Sequence, residues 1–99
     1  MNLTDTTNKI KELSKNSSGQ IESKIKFVFN DGCIFIDDTV TPTIINNENL
    51  EADCTITIEN DDFEKILNKE MDSMGAFMSG KMKISGEMTV AMKLSSLFG

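Results

Sequence analysis

Few side chains in this 99-residue chain can do chemistry, and histidine, arginine, tryptophan and tyrosine are all absent. Without histidine the chain lacks the commonest general base and the commonest metal ligand. Without arginine it lacks the bidentate fork that grips phosphate or guanine. The two cysteines, Cys33 and Cys54, stand in apolar, strand-like surroundings. Two scattered thiols form neither a disulfide framework nor a zinc site, and their setting is that of reduced, buried cysteines in an intracellular protein. The acid pairs Asp37–Asp38 and Asp61–Asp62 miss the spacing of a calcium loop and suit turns and helix caps. No nucleophile is paired with a base, so the composition points away from an enzyme, a metal site or a cofactor.

Charge narrows the partners. Ten lysines stand against sixteen acids, for a formal net charge of −6. Residues 27–60 hold seven of the acids (Asp31, Asp37, Asp38, Glu48, Glu51, Asp53 and Glu59) and no lysine. An acidic chain of this composition is a poor nucleic-acid binder. The opening residues lack the apolar centre of a signal peptide, and no apolar run approaches the ~20 residues of a membrane helix. The ending, "SSLFG", is not a peroxisomal address. The expectation is a cytoplasmic protein of one domain over residues 1–99. A chain of this size buries roughly 60–70% of its unfolded surface, enough for one core.

The strongest signal is apolar. Six of the seven methionines fall between Met71 and Leu94. Methionine has soft torsions and a polarizable sulfur, so it suits irregular or changeable surfaces. An ordinary solid core is one explanation and a pocket for an apolar molecule is the other. A permanent void of ~300 Å³ would cost on the order of 7 kcal/mol, comparable with the whole stability of a domain. A pocket here must therefore be small, collapsible or filled.

The elements that position these residues follow from periodicity. Residues 4–15 read as a short amphipathic helix that "NSSGQ" (16–20) ends. Ile25, Phe27 and Phe29 alternate with lysines as a half-buried strand, and "NDG" at 30–32 is a hairpin turn leading into "CIFIDD". "TPTIINNE" gives a third strand, with Pro42 at a start or an edge. "ADCTITIEN" is the clearest strand, with Cys54, Ile56 and Ile58 on one side. A helix follows over "NDDFEKILNKEM", where Asp61 and Glu64 suit a capping box. A short helix over 72–80, a strand over 81–86 and a final helix over 87–98 complete the chain. That last helix is apolar over more than half its circumference, with Thr89, Lys93 and Ser96 in one polar stripe. A sheet covers only one flank of such a helix. Another helix, a partner or a ligand must cover the other.

The segments "ADCTITI", "MDSMGAFMSGKMKISGEM" and "AMKLSSLF" carry a resemblance to the sterol carrier protein 2 family. Ala76-Phe77, Gly80-Lys81, Lys83, Gly86 and Ala91-Met92-Lys93-Leu94 stand where that family's pattern has them. The likeness is close over about half the chain, and residues 1–51 fit by order of elements. Two positions depart: Lys69 replaces a common glycine and Ser73 a common proline. The resemblance implies an α+β fold, with about five strands in a mostly antiparallel sheet covered on one face by helices and an apolar tunnel between. It implies non-catalytic binding and carriage of a lipid, such as a fatty acyl chain, sterol, isoprenoid or phospholipid. The wall residues expected are Phe77, Met78, Met82, Ile84, Met88, Met92, Leu94 and Phe98, with Phe27, Phe29, Ile56 and Ile58 from the sheet. Lys81 and Lys83 are placed to meet a polar head group or an anionic membrane, or else are solvated lysines on a strand face. Beyond the lipid, the expected contacts are a transient one with membrane and none with nucleic acid, in a monomer or weak homodimer. The alternative is a protein-interaction or dimerisation module, an accessory factor in isoprenoid-quinone or lipid metabolism.

Overall fold

A computed structural model describes residues 2–15 and 21–98, with side chains as far as Lys93. The loop expected at 16–20 lies outside the described residues. The order of elements is α1 (Leu3–Ser14), β1 (Lys24–Phe29), β2 (Gly32–Asp37), β3 (Ile44–Asn46), β4 (Cys54–Ile58), α2 (Asn60–Leu67), α3 (Ser73–Met78), β5 (Met82–Gly86) and α4 (Met88–Phe98). The five strands form one sheet in the order β3-β2-β1-β4-β5. Three of its pairings are antiparallel and the central β1–β4 pairing is parallel.

Register puts Phe27, Ile34, Ile56 and Ile84 in one row across the sheet. Because strand side chains alternate, Ile25, Phe29, Cys54, Ile58 and Met82 share that face. All but the half-buried Ile84 are buried, and Ile10, Phe63, Ile66, Ala76, Val90 and Ala91 from the four helices join them in one core. The helices therefore cover one face. The other face carries Lys24, Lys26, Thr55, Thr57 and Lys83, together with a buried Phe35. The connection from β3 to β4 must pass β2 and β1 to reach its place. Lys26 Nζ donates to Asn49 Oδ1 at 2.9 Å, tying that connection to the sheet.

The hairpin turn organises the helix starts. Asp31 accepts the Leu3 N–H at 2.9 Å and the Asn60 side-chain N–H at 2.7 Å. The Asn60 hydrogen bond first, then that from Leu3, holds the Asp31 carboxyl below its usual value of 3.8. The expected capping box at Asp61 and Glu64 is not formed. Helix α2 starts at Asn60, and Glu59 at the cap makes no side-chain bond. Instead Asn30 Oδ1 accepts the Asn60 N–H at 3.3 Å. A distant turn has replaced the local cap.

Two helix ends show why the departures from the family pattern are tolerated. Helix α3 stops in a glycine-type cap. Gly80 has φ +82, its N–H donates to Phe77 O at 3.2 Å, and Lys81 N–H donates to Ala76 O at 2.9 Å. Helix α2 ends with the same pair of bonds: Lys69 N–H to Ile66 O at 3.1 Å and Glu70 N–H to Lys65 O at 2.8 Å. There the left-handed residue is Lys69, at φ +64. The turn keeps glycine's geometry with a lysine in it. Ser73 opens α3 as its first helical residue, a position that proline favours but does not require.

Candidate functional site

Helix α3 has six residues and turns two faces in different directions. Ser73 and Ala76, three apart, are buried against the sheet side. Met74 and Met78, four apart, are 52% and 80% exposed. Asp72 caps the helix by accepting the Gly75 N–H at 3.1 Å. Helix α4 is similarly divided. Val90 and Ala91 are buried, whereas Met88 and Met92 are 46% and 64% exposed. The wide apolar arc of α4 is thus covered on its sheet side and left open, among the described side chains, on the side facing α3.

Between these helices and the sheet lies a cavity of about 150 Å³. Its floor is Phe27 and Ile56 from the sheet, with Met82 and Ile84 from β5. Phe63 and Ile66 of α2 close one side, and Ser73, Met74, Phe77, Met88, Ala91 and Met92 form the rest. Among the described side chains, Ser73 is the one polar residue in this lining. The exposed methionines stand at its rim, so the cavity opens to solvent there. A closed void of that volume would cost about 4 kcal/mol. An open, half-collapsed one costs less, and flexible rim residues let it change size.

Seven of the residues expected as walls meet here: Phe27, Ile56, Phe77, Met82, Ile84, Met88 and Met92. Phe29 and Ile58 are buried in the core beside the cavity without lining it. Met78 lies outside the cavity, on the outer face of α3. The side chains of Leu94 and Phe98 lie outside the described residues. Phe63, Ile66, Ser73, Met74 and Ala91 were not expected. Three apart on α2, Phe63 and Ile66 share one apolar face, but their spacing does not say which neighbour that face meets.

Among the described residues, no three histidine, cysteine or acidic side chains are grouped to hold a metal ion. Cys54 is buried, and burial, then the nearby Glu87, pushes its thiol up from 9.0, so it stays protonated. Among the described residues, no helix is long and apolar enough to cross a membrane.

A sheet closed on one face by helices, with an oily, polar-poor cavity between them, defines a small α+β domain built around an apolar pocket. The chain belongs to the SCP-2 sterol transfer family, whose model matches residues 4–99. Membership implies lipid binding or transfer. The chain is 42% identical over 55 residues to human sterol carrier protein 2, a match covering 56% of this chain and 10% of that protein. It thus spans about a tenth of the length of the curated relatives it matches. Among solved structures it resembles the sterol carrier protein domain 2 of Helicoverpa armigera, with TM-score 0.77, 23% identity, and coverage of 94% of this chain and 82% of that one. It also resembles apo sterol carrier protein 2 from Yarrowia lipolytica, with TM-score 0.73, 18% identity, and coverage of 87% and 73%. These two likenesses concern the fold.

Proposed function

We propose that this domain binds one lipid by its apolar part in the cavity between the sheet, α3 and α4, without covalent chemistry, and carries or presents it. The observation that carries this reading is the open flank of α4. Met88 and Met92 stay exposed on a helix whose apolar arc the sheet cannot cover, directly over an apolar cavity. A bound chain would supply the missing cover. Each methylene withdrawn from water contributes ~0.8 kcal/mol, so a chain of moderate length offsets the ordering and association costs. The resting cavity of about 150 Å³ is smaller than the several hundred Å³ typical of ligand sites. Occupancy therefore means that the methionine rim moves outward, toward the tunnel that the family resemblance implies. The wall assigned to the cargo is Phe27, Ile56, Phe63, Phe77, Met82, Ile84, Met88 and Met92.

A charge at the rim tests this. Met92 is exposed, so Met92→Glu leaves the fold intact but places a carboxylate where the chain would enter. It should abolish uptake of a fluorescent fatty acid, measured by titration. Thr89→Glu, on the polar stripe of the same helix, should leave uptake unchanged. Equal loss or equal retention in both variants counts against the assignment.

A further inference from the structure

One residue breaks the apolar character of the cavity. Among the described side chains that line it, none is charged, and Ser73 brings the one polar group. Ser73 is 7% exposed, whereas Met74, Met88 and Met92 around the opening are exposed, so its hydroxyl lies inside the rim. It is the first residue of α3 and shares a buried face with Ala76. A proline at this place would offer only hydrocarbon, so the hydroxyl comes with this chain's own departure from the family pattern. A hydroxyl donates one hydrogen bond and accepts two. Ser73 already takes part in an interaction within the protein, and that capacity leaves room for a guest oxygen as well. An oxygen drawn into an oily space without a partner loses its bonds to water, and one hydrogen bond to Ser73 restores part of that loss. A carboxylate or phosphate is a poor guest there, because burying a charge with no cation in the lining costs far more than one neutral hydroxyl returns. The charged end of an acidic lipid therefore stays at the opening.

We propose that Ser73 determines which lipid the cavity prefers: one bearing a neutral oxygen, a hydroxyl or keto group, on the part that enters, with the Ser73 hydroxyl as its partner. The inference rests on the reading of the cavity as a lipid site. Such an oxygen arrives in one of two ways. It sits along the chain of a lipid whose charged head stays outside, or it ends an uncharged lipid that enters polar end first.

Displacement of a fluorescent fatty acid tests this. The competitors are stearic acid, a series of monohydroxystearic acids that differ in the position of the hydroxyl, and octadecanol. A hydroxyl changes a lipid's cost of leaving water equally for every variant. The quantity read is therefore each competitor's affinity relative to stearic acid, compared between variants. Ser73→Thr keeps a hydroxyl, and Ser73→Val has nearly the same shape without one, so this pair isolates the hydroxyl even if Ser73→Ala folds poorly. For at least one hydroxystearic isomer the relative affinity should be about five-fold higher in wild type and Ser73→Thr than in Ser73→Val and Ser73→Ala. The position of the hydroxyl in that isomer reports how far Ser73 lies below the opening. A loss of similar size confined to octadecanol would support the pairing and show that the oxygen enters first. Equal relative affinities in Ser73→Thr and Ser73→Val for every competitor, with stearic acid still displacing the probe, would overturn selection by Ser73 and leave the lipid site standing. Wild-type protein that takes up neither the probe nor any competitor would overturn the lipid site itself, and the selection with it.

Discussion

The two sides of the cavity are built from different materials. On one side Phe27, Phe29 and Phe63 pack as a cluster with ring centroids 5.3–6.0 Å apart. Phe27 and Phe63 are each 1% exposed and form a wall of fixed shape. On the other side Met74, Met88 and Met92 are 46–64% exposed around an opening, and their torsions are soft. Stability is concentrated in the first region and adaptability in the second. A domain that must fold without its ligand and still admit one gains from keeping the two apart.

The sharpest way to break this comparison is to remove an aromatic. Phe63→Ala should cost about 3–5 kcal/mol, read from the denaturation midpoint, against almost no stability change in Met92→Glu. Similar losses in both would mean that the methionine side is as load-carrying as the aromatic one. The next test asks whether the adaptable side has a rigid point. Gly86 sits at φ +100, and a Cβ there would lie 2.3 Å from Asp53 O, a backbone atom that cannot step aside. Gly86→Ala should therefore cost roughly 2 kcal/mol or more and loosen the β4–β5 junction beneath the cavity. A smaller effect of opposite sign is expected at the end of α2. Lys69→Gly should stabilise the fold by about 1 kcal/mol, because the left-handed strain removed exceeds the added chain entropy. No gain in thermal midpoint would show that the lysine is unstrained there.

The smallest expected effect concerns pH and belongs to the rigid side. Asp31, through Asn60 and Leu3, and Asp37, through the Thr39 hydroxyl and N–H, both have carboxyls held below 3.8. Their contribution is present above that value and is lost as pH falls through the lowered folded values. Urea midpoints should drop as pH falls below about 4, and Asp31→Asn should flatten that drop. An unchanged slope would mean that the hairpin turn anchors α1 and α2 without its charge.

Much of this architecture was legible in the residues. Alternation marked the strands at Ile25–Phe29 and Cys54–Ile58, and the turn at Asn30-Asp31-Gly32 follows from the conformations those residues permit. The surplus apolar arc of α4 was legible too, and with it the need for a second cover. Three things were not. The start of α2 was misread because its cap is Asn30, thirty residues away in sequence. The parallel insertion of β4 beside β1 leaves no local trace, since both strands alternate alike whichever neighbour they meet. The wall expected from the sequence joined the methionine-rich stretch and α4 to four sheet residues and left out Phe63 and Ile66, whose apolar face on α2 gives no sign of the neighbour it meets.

By itself the sequence determined which segments are helix or strand and which face of each is apolar, because those depend on spacing within one segment. It also left out histidine and arginine, and with them an imidazole base or metal ligand and a guanidinium fork. Only the tertiary structure decided which apolar faces meet one another and which remain over an open space. That outcome depends on strand order, register and helix placement, and these are set by contacts between segments far apart in the chain.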